Sequence, residues 1–221
     1  MSDSAYASVV LDVDSTLCGV EGIDFLAERR GPKVGAEIAA LTDGAMRGEI
    51  PLESVYGKRL TIIRPTRADI AALADAYRDT VSPGAPQAIA AMRAEGVQLV
   101  LVSGGIRQAI EPVARDLGFA AADLEAVSVI FDANGDYAAF DARSPLTTHH
   151  GKCEVVGRLI AERRLPRPVL AVGDGSTDIA MAEAADTFAA YTGFARRDAV
   201  IRAAAVEVHS FDELRKRVIP H

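Results

Sequence analysis

Two kinds of apolar pattern take turns along the chain. Ser8-Val9-Val10-Leu11 runs into Asp12 as a short, β-branched, non-alternating stretch, the signature of a strand covered on both faces of a parallel sheet. Similar runs recur at Val97-Gln98-Leu99-Val100-Leu101-Val102, Val169-Leu170-Ala171-Val172, Thr187-Phe188-Ala189-Ala190 and, more weakly, Val206-Glu207-Val208. Between them, helical periodicity predicts helices over 85–95, 107–117, 151–164, 177–185 and 196–205, the first three closed by a nearby Gly or Pro. Pro112 fits the second only if that helix starts near Ile110, which would put the proline in the first turn. Strands alternating with helices over short links predict an α/β fold, an open Rossmann-like parallel sheet with helices on both faces.

Two stretches break the rhythm. Residues 19–76 hold no strand-like run, only helical patches at 22–30, 34–47, 52–63 and 67–79 separated by Gly31-Pro32, Gly48 to Pro51, and Pro65. This predicts a small helical cap inserted after the first strand, leaving 1–18 and 77–221 as the core. Around 127–140, the alternation of Val127, Val129 and Phe131, a turn at Asn134-Gly135 and the run Tyr137 to Phe140 predict a β-hairpin flap. No internal repeat or low-complexity tract is visible.

Charge narrows the partners. The 221 residues carry 24 Lys+Arg against 31 Asp+Glu, a net charge of −7, with no basic run to offset it locally. Nucleic acid and anionic membrane surfaces are disfavoured on that ground. Cys18 and Cys153 lack metal-ligand spacing and imply no disulfide framework. The first residues lack a basic signal-peptide region, and no stretch of 18 apolar residues runs uninterrupted, so a soluble cytoplasmic protein is expected, monomer or homodimer.

In open α/β sheets, ligands bind outside the carboxyl ends of the strands. There the first strand delivers Asp12-Val13-Asp14-Ser15-Thr16, the second Ser103-Gly104-Gly105, and the third Gly173-Asp174-Gly175-Ser176-Thr177-Asp178. Four carboxylates converging on one crevice repel unless a cation sits among them, and an oxygen-rich donor set suits a hard ion, Mg²⁺ above all. The Ser103 hydroxyl and the Gly104 and Gly105 amides offer an anion cradle. Each piece alone is usually a turn or loop; together, on strands of one type, they describe a metal-assisted phosphoryl site.

These segments, with Gly151-Lys152, resemble the four signature motifs of the haloacid-dehalogenase-like hydrolases in order and approximate spacing, and within them the phosphoserine phosphatases. The likeness extends to Glu21-Gly22-Ile23-Asp24, Ala45-Met46-Arg47-Gly48, Lys58-Arg59-Leu60 and Thr80-Val81-Ser82-Pro83-Gly84, and runs from Val9 to about Leu214. It implies Asp12 as nucleophile through an aspartyl-phosphate, and Asp14 as general acid and then general base. It implies Mg²⁺, with Mn²⁺ as the alternative, on Asp12, the Asp14 carbonyl, Asp174 and Asp178. Ser103, Gly104, Gly105 and Lys152 would hold the phosphoryl group. In the cap, Glu21 would meet an ammonium and Arg59 a carboxylate, with Met46, Leu52 and Thr177 lining the pocket, so that the implied substrate is a small phosphorylated amino acid, O-phospho-L-serine.

Taken singly, Glu21 and Arg59 read as solvated helix charges, and Lys152 is more often a surface lysine. His149-His150 precede Gly151 where small or polar residues are expected, and read as solvated loop histidines. Leu52 stands where the family commonly has Phe, and the usual glycine pair after the last core strand is replaced by Gly193-Phe194-Ala195-Arg196. Two same-fold alternatives remain, another small phosphomonoester or transfer to an alcohol such as homoserine. A phospho-accepting receiver module is the alternative of a different class.

Overall fold

The computed structural model describes residues 4–46, 50 and 52–220, the side chains of residues 43–46 and 52 excepted. The first strand, β1 (Ser8–Leu11), is buried at every position and pairs in parallel with a strand on either side. Four helices follow before the chain returns to the sheet: α1 (Gly22–Glu28), α2 (Pro32–Met46), α3 (Leu52–Ile63) and α4 (Arg67–Asp79). The expected end of the cap at residue 76 therefore falls inside α4. Thr66 caps α4 reciprocally with Asp69, each side chain bonding the other's backbone N–H, which fixes where that helix begins.

Then come α5 (Ala85–Ala94), β2 (Gln98–Ile106), α6 (Arg107–Asp116), β3 (Leu124–Val127), β4 (Val129–Phe131), β5 (Tyr137–Phe140), α7 (Gly151–Ala161) and β6 (Val169–Gly173). The chain closes with α8 (Ser176–Ile179), β7 (Thr187–Tyr191), α9 (Asp198–Ala203), β8 (Val206–Val208) and α10 (Phe211–Val218). Six of these strands form one all-parallel sheet in the order β3-β2-β1-β6-β7-β8, while β4 and β5 pair as a separate antiparallel hairpin. Renumbered within the large sheet, the order is 3-2-1-4-5-6, which reverses direction at β1 and opens a crevice there.

Several expectations need correction. Leu124–Val127 is an edge strand of the main sheet, so Val127 belongs to β3 and the hairpin starts at Val129. Its four residues set Glu125 and Ala126 between Leu124 and Val127, too little apolar contrast to stand out. The helix predicted over 107–117 does start at Arg107, and not near Ile110 as Pro112 was expected to require, so Pro112 is its sixth residue and removes the bond its N–H would have given the Gln108 carbonyl. Burial of Ala109, Ile110, Val113 and Ala114 carries the helix past that defect. Residues 177–185 form the single turn α8 and then a 3₁₀ turn at Ala180–Glu183, not one helix. The sequence reading omitted α10, whose buried Phe211, Leu214 and Val218 pack it against α5.

The helical insert is tied to the hairpin as well as to the core. The Arg67 N–H donates to the Gly135 carbonyl, Arg64 donates to the Tyr137 carbonyl, and the Tyr56 ring stacks obliquely on Phe140 with centroids 5.4 Å apart. Among the described residues, no helix is long and apolar enough to cross a membrane.

Candidate active site

The register of the sheet sets the site. Leu11 pairs with Leu101 of β2 on one side and Val172 of β6 on the other, so Asp12, Ser103 and Asp174 leave three adjacent strands within two residues of one level. β2 runs on through Ser103-Gly104-Gly105 to Ile106, so the cradle lies on the strand itself, where its register with β3 shifts. All three segments line one cavity of about 410 Å³, together with Asp14, Lys152 and Thr177.

At its floor, Lys152 donates to Oδ1 of Asp12 and to Oδ1 of Asp178, both at 2.6 Å. Lys152 is only 5% exposed and Asp178 1%, so this is a buried cation between two buried carboxylates and the surface-lysine reading does not hold. Two glycines make the arrangement possible. A Cβ on Gly151 would overlap the Pro145 carbonyl, so only glycine lets α7 begin tight against that turn and aim Lys152 inward. A Cβ on Gly173 would overlap the Asp178 side chain, which folds back beneath β6 to accept the Gly175 N–H at 2.8 Å.

Carboxylate oxygens of Asp12, Asp174 and Asp178 lie within 4.8 Å of one another, all three residues buried. Burial pushes the Asp12 carboxyl well above the usual range, Asp178 and Asp14 push the same way, and Lys152 opposes them. Asp174 Oδ1 accepts from Thr16 at 3.3 Å. Its Oδ2 is buried and is paired with the Arg197 guanidinium. Three buried carboxylates with oxygens this close together, an all-oxygen donor set, fit a hard divalent cation. The Asp14 carboxylate stands outside this group, in keeping with a metal role limited to its backbone carbonyl.

Asp14 has its own partners. Its Oδ1 accepts from the Tyr77 phenol at 2.6 Å and its Oδ2 from the Gly22 N–H at 3.0 Å. Burial first, then the charge of Glu21, lift its carboxyl to about 6, with the Tyr77 and Gly22 donors pulling the other way. A carboxyl held there can both give and take a proton near neutrality.

In the cradle, the Gly105 N–H is turned onto Ser103 Oγ at 2.9 Å, so Gly105 serves the serine and is not the free amide donor expected. That leaves the Ser103 hydroxyl proton and the Gly104 amide for an anion. The Gly104 carbonyl accepts from the Tyr56 hydroxyl at 2.9 Å, which ties the cradle to α3.

At the roof, Glu21 accepts from Ser15 at 2.7 Å and pairs with Arg197 at 3.2 Å. Arg59 lines the same cavity, bonded to Thr42 at 3.4 Å and lying over the Tyr56 ring, while its buried Nε has no partner among the described residues. The walls expected at Met46 and Leu52 fall on side chains outside the described residues. His149 and His150 contact each other edge to face and join no metal-ligating group among the described residues.

The sequence reading missed Tyr77, Tyr56 and Arg197. Tyr77 recurs with Ile70, Leu73 and Ala74 on the buried face of α4, which marks it as core and not as a partner of Asp14. Arg197 lies just beyond the loop noted for its missing glycine pair.

An α/β sheet with acidic groups, a buried lysine and a hydroxyl cradle at the ends of three adjacent strands defines a hydrolase built for phosphoryl chemistry. The chain belongs to the haloacid dehalogenase-like hydrolases, whose family model matches residues 9–183. It is 34% identical over 209 residues to the chloroplastic phosphoserine phosphatase of Arabidopsis thaliana, covering 94% of this chain and 70% of that one. To the phosphoserine phosphatase of Homo sapiens it is 33% identical over 207 residues, 94% of this chain and 91% of the relative. The crystal structure of a phosphoserine phosphohydrolase-like protein from Francisella tularensis superposes with a TM-score of 0.82 at 26% identity, covering 94% of this chain and 97% of that one. The chain is thus a phosphatase-type enzyme, and the receiver-module alternative is set aside.

Proposed function

We propose that the protein hydrolyses O-phospho-L-serine to L-serine and phosphate. The observation that carries this reading is that one cavity joins Asp12, Asp14 and Lys152 at its floor to Glu21 and Arg59 at its roof. A phosphorylated amino acid presents a phosphate to the floor and an ammonium and a carboxylate to the roof. The buried Nε of Arg59, without a partner among the described residues, is a donor open to an acceptor, and a guanidinium suits a carboxylate. The phosphoserine phosphatases to which the chain is similar support the same substrate.

In this reading an oxygen of Asp12 attacks phosphorus and the ester P–O bond breaks. Asp14 hands its proton to the departing serine oxygen, leaving an aspartyl-phosphate. Water then attacks that phosphorus, Asp14 takes the proton back, and Asp12 is regenerated with release of phosphate. Lys152 and the Ser103 hydroxyl hold the phosphoryl oxygens as charge redistributes. Asp12, Asp174, Asp178 and the Asp14 carbonyl would hold Mg²⁺, which supplies the positive charge that lets an anionic nucleophile meet an anionic phosphate. The helical insert, α1 to α4, serves as the cap that keeps bulk water out while the ester bond breaks. No Lys/Arg surplus exists to recruit nucleic acid or membrane, and cytoplasmic residence fits the two free cysteines.

A panel of phosphomonoesters, assayed with Mg²⁺ and with chelator, and with homoserine added as acceptor, tests the reading. It requires O-phospho-L-serine to lead the panel, chelator to stop turnover, and one phosphate to appear per serine. Phosphohomoserine formed in place of free phosphate would make the enzyme a phosphotransferase, and a different leading ester would reassign the substrate.

A further inference from the structure

We infer that Tyr77 is a positioning residue for Asp14, its phenol fixing the carboxylate in the orientation from which it exchanges a proton with the ester oxygen. The inference rests on the reading of Asp14 as proton shuttle.

A free aspartate turns about two side-chain bonds. Asp14 is held on both oxygens by donors from different elements, the Gly22 N–H at the start of α1 and the Tyr77 hydroxyl near the end of α4. Each carboxylate oxygen has a second lone pair, so both bonds persist while a proton sits on or leaves the side facing the cavity. A shuttle that must stay aligned through two chemical steps is served by such a two-point hold, since misplacement by about 1 Å costs on the order of 100-fold in rate.

The surroundings are shaped to admit the phenol. Tyr77 is fully buried, and a Cβ on Gly22 would collide with its hydroxyl. A Cβ on Gly105 would stand 3.3 Å from the same oxygen. Two glycines from separate segments thus leave the space in which the hydroxyl reaches Asp14. A buried phenol needs some acceptor, and backbone carbonyls supply most such needs; this one is spent on a carboxylate that lines the cavity. Because α4 closes the helical insert and Asp14 follows β1, the bond also couples the placement of the insert to that of the shuttle.

Tyr77→Phe removes the hydroxyl and keeps the ring. Turnover of O-phospho-L-serine, whose alkoxide leaving group needs a proton, should fall about 10- to 100-fold in kcat with KM changed less than about threefold. Turnover of p-nitrophenyl phosphate, whose leaving group needs none, should fall less than about threefold. In an Asp14→Asn background the same change should cost nothing further on phosphoserine, because the group being positioned is gone. Equal losses on both esters, no loss on either, or additive losses in the double variant would each overturn the role. If Tyr77→Phe fails to fold, Tyr77→Met replaces it under the same criteria. A wild-type enzyme that turns over neither ester overturns the phosphatase reading and this role with it. An active wild type with equal losses in the variant overturns the role alone.

Discussion

Lys152 places its ammonium 2.6 Å from Oδ1 of Asp12, although 140 residues separate them, and the same nitrogen holds Asp178 at the same distance. The buried charge of one strand end is balanced by a lysine from the first turn of α7. Lys152→Met should lower stability by about 3–5 kcal/mol at neutral pH, the range for removing one member of a buried ion pair. The Asp12 carboxyl is already held high by burial, and loss of Lys152 sends it higher. The folded state then binds a proton more tightly than the unfolded chain, so stability falls as pH rises above about 4. Urea unfolding of chelated protein at pH 5 and pH 7.5 should show the larger penalty at the higher pH. An equal penalty at both would detach Lys152 from the carboxylates.

Asp14 is set apart from Asp12 by its partners and by its carboxyl near 6. Asp14→Asn should therefore spare an activated ester. Loss on O-phospho-L-serine should exceed loss on p-nitrophenyl phosphate by about 10²-fold or more, the usual contribution of a general acid. Steady-state rates on the two esters decide it, and equal losses would remove Asp14 from the acid role.

How much of this was legible in the chain follows from where the signals lie. Strands buried on both faces write continuous apolar runs, so β1, β6 and β7 could be read almost to the residue, and the acidic motifs follow from them. The edge strand β3 hid because burial at Leu124 and Val127 alone gives no run. Lys152 could be marked as a candidate, but its bond to Asp12 is a property of α7 docking that no local pattern encodes. Tyr77 wrote only a core signal, since a buried phenol and a buried phenyl ring occupy the same helical position. Gly105 looked like a donor because an amide carries no mark of where its hydrogen points, and the structure turns it onto Ser103.

The roof residues define the substrate. Arg59→Ala should lower kcat/KM for phosphoserine by about 2–5 kcal/mol, the range for truncating one partner of a buried charged pair. Phosphoethanolamine, which lacks the carboxylate, should be a poor substrate and nearly indifferent to that change, whereas Glu21→Ala should penalise both ammonium-bearing esters. Small aryl phosphates should ignore either substitution. If Arg59→Ala slows every ester equally, Arg59 contacts phosphate or supports the fold.

Away from the site, Asp69 gives a stability test of the opposite sign. Burial alone would raise its carboxyl, but the Thr66 N–H and hydroxyl and the Arg30 guanidinium outweigh it and bring it to about 2. A depressed acid stabilises the fold above the unfolded value near 4, and that contribution drains away as pH falls toward 2. Asp69→Asn should cost about 1–2 kcal/mol at pH 7, the modest figure reflecting solvent screening of Arg29 and Arg30. The gap between wild type and variant should narrow steadily from pH 4 to pH 2 in urea titrations. A gap constant with pH would show that the ionised form of Asp69 is not what caps α4.

Acid-quenching the enzyme during turnover of O-phospho-L-serine labelled in its phosphate, then mapping the labelled peptide, tests the central claim most directly. The account predicts an acid-stable, hydroxylamine-sensitive acyl phosphate on Asp12, absent from Asp12→Asn, which should also lose several orders of magnitude in turnover. Label on any other residue, or an Asp12→Asn enzyme within about tenfold of wild type, would contradict it.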